Sequence, residues 1–324
     1  MPKPPQAVFD SIYAFPPNRD TLGGTAYFIV GNSINPADSA DHSGLPANSS
    51  NSSVPSAHQP TGFKQPTDDP TQSVHNLTNP TDPTNSSDHS NHSDHSSAHQ
   101  PAHQLPGNIL IDCPPWHEET ADFLTQHGGV RWWIFTHRSS FGPLQTVRAL
   151  HRAFSNPATT LEESEPAAQS AAARCELVVQ EQEAYLLPNL PVTTFREEVT
   201  LSPELRVIWT PGHTPGSACV WLDRAGGILF SGRHLLPTPQ GELMPLKTAK
   251  TFHWFRQLRS VQALIDRFSP VNLAHCCPGA SVGFLRGALS VDRAYERLTT
   301  LNLAAAKLDP VALQSPSLSE TPDQ

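Results

Sequence analysis

Four short segments carry the residues best suited to chemistry. FTHRSSFGP places His137 and Arg138 just past the apolar run RWWIF. WTPGHTPGS places His213 in a turn framed by Pro211, Gly212, Pro215 and Gly216. FSGRHLLP places Arg233 and His234 after a third apolar run, and AHCCPGA places His275, Cys276 and Cys277 at the end of a fourth. Turns stiffened by proline and glycine at strand ends hold side chains in fixed positions for binding. Guanidinium groups suit a carboxylate or phosphate, which they grip through a planar fork of donors. His137, Arg138, His213, Arg233 and His234 are therefore the candidate site, and its ligand is expected to be a small anionic molecule.

These segments need a frame of strands and helices. GTAYFIVG (Gly24–Gly31) and GNILIDC (Gly107–Cys113) read as paired strands of a hairpin whose connecting loop is greatly lengthened. Each doubling of a loop adds only about 0.6 kcal/mol of closure entropy, so one domain with a long insertion is expected rather than two domains. Further strands are expected at Arg131–His137, Cys175–Gln180, Leu205–Thr210, Ser217–Leu222, Gly226–Gly232 and in NLAHCC. Glu118–His127 reads as a short helix ended by Gly128 and Gly129. Pro143–Phe154 has Leu144, Val147, Leu150 and Phe154 at helical spacing. Ser155–Arg174 reads as loop. A longer helix places Phe252, Phe255, Leu258, Val261, Leu264, Ile265 and Phe268 on one side, and Val291–Ala305 reads as a final helix. His253 and Trp254 stand where they would cover the site. The mixture indicates an α+β or α/β sandwich.

Composition limits the rest. The chain has 324 residues, 33 prolines against 18 glycines, and a net charge of −9. Ten of the prolines lie in residues 32–106, a Ser/Asn/Asp/Thr/His-rich tract with Phe63 as its only aromatic. Such a segment buries too little apolar surface to offset its ordering entropy, and it is expected to be disordered. Its seven aspartates against Lys64 leave the remainder nearly neutral. Residues 307–324 are expected to form a loose tail, so the domain is expected to span residues 1–306. Eight of the sixteen histidines lie in the tract (His42, His58, His75, His89, His92, His95, His99 and His103). They read as polar filler rather than as a metal site, because the prolines and serines oppose a helix that would align the rings. No basic block suggests nucleic-acid binding, and no run of about 18 apolar residues suggests a membrane span. Five cysteines with no CxxC pair, and no apolar leader, fit a reduced, cytoplasmic setting. Cys276 and Cys277 read as small buried hydrophobes, and Trp132 and Trp133 as strand core.

The order of the segments resembles the metallo-β-lactamase superfamily. TPGHTPGS is similar to that family's third motif and ILFSG with a following polar residue to its fourth. ILIDC resembles the strand before the first metal loop, and FTH the start of that loop. The resemblance covers Gly24–Gly31 and Gly107 to about Leu301. It implies an α+β, four-layer αββα sandwich with the site at one edge between two sheets. It also implies a zinc- or iron-dependent hydrolase, with His137 and His213 as metal ligands. The departures are specific. Family members with a working centre carry a THxHxDH loop. Here Ser139 stands in place of the second histidine, Phe141 of the aspartate and Gly142 of the last histidine. Arg233 stands in place of a bridging aspartate, and Ala280 of the final histidine. A zinc site takes three protein ligands for catalysis or four for structure, and two imidazoles supply neither. At ~4 Å and an effective dielectric of ~20, a unit-charge pair is worth about 4 kcal/mol, so an arginine in place of a carboxylate turns attraction for a cation into repulsion. The binuclear hydrolase is expected to be incomplete. A hydrolase with an unusual or single metal and a non-catalytic binding scaffold remain the alternatives.

Overall fold

The computed structural model describes residues 3–31, 105, 107–155 and 174–309. The chain divides into one unit of Met1–Asn35 with Ala102–Gln324 and another of Pro36–Pro101. The second unit lies outside the described residues, as do most of the expected insertion and tail and most of the expected loop at Ser155–Arg174. Leu105, counted above within the insertion, is fully buried in the core between the sheets.

The first sheet uses its seven strands in chain order: β1 (Gln6–Phe9), β2 (Ile12–Ala14), β3 (Tyr27–Ile29), β4 (Ile109–Ile111), β5 (Trp132–Ile134), β6 (Glu176–Gln180) and β7 (Val192–Phe195). Strands β3 and β4 pair antiparallel with Tyr27 opposite Ile111, the hairpin pairing expected across the insertion. From β4 to β7 the pairs are parallel. Parallel neighbours need a crossover, and helices α1 (Glu118–Gln126) and α2 (Leu144–Ser155) lie in the links from β4 to β5 and from β5 to β6.

The second sheet begins with β8 (Glu198–Ser202), β9 (Leu205–Trp209), β10 (Ala218–Leu222) and β11 (Ile228–Gly232). A two-stranded ribbon, β12 (Leu236–Pro237) and β13 (Leu243–Met244), leads to helix α3 (Trp254–Arg267). Strand β14 (His275–Pro278) then pairs parallel with β11, β15 (Val291–Asp292) closes the edge, and helices α4 (Ala294–Thr299) and α5 (Leu303–Leu308) follow.

Period-two alternation sorts the side chains into layers. Trp132 and Ile134 of β5 point into a central core with Val220 and Leu222 of β10. Trp133 and Phe135 point the other way, onto Leu124 of α1 and Val147 and Leu150 of α2. Cys219 and Trp221 of β10 point onto Leu258, Val261 and Leu264 of α3. The architecture is therefore α+β in four layers, αββα. Strands covered on both faces read as unbroken apolar runs, and these were the strands legible in the sequence.

Three expectations need correction. The final helix at Val291–Ala305 is instead a strand and two short helices. Val291 pairs with Cys276, Arg293 adopts φ 46°, and Asn302 starts α5 by accepting a hydrogen bond from the Ala305 N–H. Phe252 and Phe255 do not join the apolar face of α3 but are exposed, while Trp254 and Gln257 are buried. Strands β1, β2, β7 and β8 carried no signal strong enough to expect. Helix α5 also runs through Lys307 and Leu308, slightly past the boundary expected for the tail.

Candidate functional site

The site lies where the two sheets meet at one end. Strands β4, β5, β11 and β14 all finish there, and the crossing contacts are backbone-rich. The Ala218 N–H donates to the Thr136 carbonyl (2.8 Å), the Thr25 N–H to the Gly279 carbonyl (2.9 Å), and the Tyr27 hydroxyl to the Pro278 carbonyl (2.9 Å). Gly232 and Thr136 touch so closely that a β-carbon on Gly232 would stand 2.4 Å from Thr136 Oγ1. This close approach, at φ 52°, is why glycine ends β11.

His137 follows β5 and opens a 3-10 turn, Arg138–Ser140. Its Nδ1 is 2.9 Å from Thr136 Oγ1, and its Nε2 is buried without a partner. The His213 ring meets it edge-on, with centroids 5.4 Å apart. The turn bearing His213 is held from three sides. Ser217 Oγ accepts from the Thr214 N–H, Pro211 O accepts from Ser260 Oγ, and the backbone N–H groups of Phe252 and His253 donate to the carbonyls of His213 and Gly212. Residues 252 and 253 thus brace the turn through their backbone, while Trp254 turns away and donates its indole N–H to Ala306 O.

His234 is buried and neither ring nitrogen has a partner. Arg233 donates from Nη2 to the carbonyls of Thr21 (3.1 Å) and Leu22 (2.6 Å), leaving Nε buried and unpartnered. Arg138 pairs with Glu183 at 3.2 Å, and that carboxylate is almost wholly buried. Arg233 and Arg138 act electrostatically on His213, and His213 in turn acts on His137 and His234, so the five expected residues share one neighbourhood.

Burial sets the charge states. It pushes His213 down to about 4, helped by the positive charges of Arg233, Arg138 and Lys250. It pushes His234 down to about 3, with His213 adding to the effect. It also holds His137 well below the ordinary range, reinforced by His213 and Arg233. All three rings are therefore neutral near neutral pH.

Sequence reasoning missed four residues here. Asp112 follows β4 at φ 61° and accepts from the Thr136 N–H (2.8 Å) and the Thr136 hydroxyl. Burial raises it to about 6, against the pull of Thr136, Ser140 and Arg233. Thr136, Glu183 and Lys250 complete the surroundings. An acid directly after an apolar strand, as in ILIDC, was the one available signal. His275 and the two cysteines fall elsewhere than expected. They lie within β14 rather than at its end, with His275 against Phe9 (ring centroids 4.9 Å) and both thiols buried.

Among the described residues no group of three or more His, Cys, Asp and Glu side chains converges as a cation site needs. Asp112 is engaged by Thr136, and a guanidinium stands beside the two imidazoles. No helix among the described residues is long and apolar enough to cross a membrane.

No family model and no curated protein matches the chain. Several solved structures do resemble it, and they are metallo-β-lactamase superfamily members or related hydrolases. TTHA1623 in a di-iron-bound form is 17% identical over 59% of this chain and 86% of its own, with a TM-score of 0.41. The superfamily protein ST1585 from Sulfolobus tokodaii is 10% identical over 89% of this chain and 85% of its own, with a TM-score of 0.41. A metallo-β-lactamase from Staphylococcus aureus is 16% identical over 67% and 61%, with a TM-score of 0.40. Likeness this distant says nothing of chemistry, and the αββα description stands on the layers above.

Proposed function

We propose that this chain is a metallo-β-lactamase-like protein whose site edge does not assemble the binuclear centre and instead binds a small anion, a carboxylate or phosphate. One observation carries the reading. Four buried nitrogens at that edge have no partner: His137 Nε2, Arg233 Nε and both ring nitrogens of His234. Arg233 Nε and the one N–H of the neutral His234 ring are donors, and a buried donor left unmade costs about 1–3 kcal/mol, so they favour an acceptor ligand; the other nitrogen of each neutral ring is an acceptor. The charges agree, since Arg233, Arg138 and Lys250 act together on His213. Asp112 and Glu183 offset part of this charge but are held on Thr136 and Arg138. The chain's own residues supply binding: Arg233 fixed on two carbonyls, and the single N–H of the neutral His234 ring, which donates without competing charge. Hydrolysis with metal-activated water is not part of this reading.

Titration of inorganic phosphate and acetate into the full chain, compared with Arg233→Ala, tests it. Binding about tenfold weaker in the variant is expected, the loss of one charge-assisted hydrogen bond. Equal binding by both forms, or near-stoichiometric zinc or iron in the purified protein that disappears in His137→Ala, would overturn it.

A further inference from the structure

A recess lies beside Thr210 and Pro211, where the chain enters the turn that carries His213. It has a volume of about 370 Å³ and runs between the end of β9 and helix α3. Its lining includes buried Ile208 and Leu264 and exposed Ala263, with half-buried Arg256 and exposed Arg259 and Arg267 around them. No acidic residue lines it.

The helix explains the arrangement. Positions three and four apart share a face. Arg256 therefore neighbours Arg259 and Ser260, and Arg267 continues the row one turn past Ala263. The three arginines differ in what occupies them. Arg267 is committed to Glu198 at 2.8 Å. Arg256 lies over the Trp209 ring at 5.3 Å from its centroid. Trp209 is itself fixed, because its indole N–H donates to Pro215 O at 2.8 Å. Stacking engages the face of a guanidinium and leaves its N–H edge for a ligand. Arg259 is exposed, and none of the ion pairs among the described residues includes it.

We infer that this recess is a binding site for an amphipathic oxyanion, a phosphate ester bearing a flat apolar group. Arg256 and Arg259 grip the oxyanion, and the apolar part lies on Ile208, Ala263 and Leu264 beside the Trp209 ring. The volume is within the range of small-ligand sites, and apolar lining residues with a few convergent charges are their usual composition. Either half alone is weak. Inorganic phosphate loses the apolar contacts, and a neutral aromatic loses the fork of donors.

The site is separate from the edge holding Arg233, and the test keeps the two apart. Calorimetric titration of the full chain uses 1-naphthyl phosphate, inorganic phosphate and 1-naphthol as probes. Naphthyl phosphate is expected to bind at least about tenfold more tightly than either other probe. Arg256→Gln and Arg259→Gln are each expected to weaken this tight component by about tenfold, while Arg233→Gln removes only the weaker phosphate binding at the other edge and leaves the tight component in place. Both rim residues are partly or fully exposed, and thermal melts of the variants confirm that they remain folded. The inference is overturned if naphthyl phosphate does not bind or binds no better than naphthol. It is equally overturned if the Arg256→Gln/Arg259→Gln double variant binds as well as the parent, or if Arg233→Gln abolishes binding.

Discussion

Three neutral histidines buried at one edge make the protein sensitive to acid, and the size of the effect can be worked out. In the unfolded chain a histidine takes up its proton near 6.5, whereas His213 in the folded protein waits until about 4 and His234 until about 3. A folded pKa below the unfolded one gives stability that is present above about pH 6.5 and is lost as pH falls toward the folded value. At about pH 5 each of these two residues has withdrawn about 2 kcal/mol relative to about pH 7.5. His137 acts in the same direction. Asp112 acts in the opposite one. Its folded pKa of about 6 lies above the ordinary 3.8, so the folded state protonates first and recovers about 1 kcal/mol by about pH 5. His213, His234 and Asp112 together leave a loss of about 3 kcal/mol, to which His137 adds, a large part of the 5–15 kcal/mol typical of a domain. Urea unfolding followed by tryptophan fluorescence at the two pH values measures it directly. His234→Phe should remove about 2 kcal/mol of the pH dependence. Unfolding free energies equal within about 1 kcal/mol at both pH values would refute the account of these side chains as buried and neutral.

Two further outcomes follow from packing. Gly212 has φ 149°, and a β-carbon there would stand 2.3 Å from Gln257 Cα, part of the α3 backbone. Gly212→Ala should cost more than about 3 kcal/mol in a thermal or urea melt, whereas Gly241→Ala, at φ 84° in open space, should cost only about 1 kcal/mol; similar losses in both would contradict the close approach. Arg138→Ala strands the buried Glu183 carboxylate with the Gly216 N–H as its remaining partner on Oε1, so a loss of about 3 kcal/mol is expected. Adding Glu183→Gln should recover part of that loss, and a double variant no more stable than Arg138→Ala would show that the pair carries little.

The parts of the fold that were readable in the sequence share a physical cause. The runs ILI, WWI, ACVWL and ILFSG belong to strands covered on both faces, where water never imposes a polar alternation. Edge and near-edge strands are different. In β7 and β8, Thr194 and Thr200 are exposed and most neighbours are half-buried, so their residues resemble those of loops. The final helix misled because Val291, Leu298 and Leu301 keep an apolar rhythm while Arg293 and Asn302 break the backbone. At the site, histidines in rigid turns were visible as candidates. Asp112, Glu183 and Lys250 were not, because what sets them apart is burial or approach to His213 across the fold, which no local spacing reports.

Strands β1 to β7 are laid down entirely before strands β8 to β15 in the chain, with the changeover between Phe195 and Glu198. The first sheet can thus be synthesised whole before the second exists. His137 and Asp112 come with the earlier half, His213, Arg233 and His234 with the later one. The proposed binding edge is consequently a seam, created only when the two halves close on each other, and ligand occupancy at it would work as a clasp that resists their parting.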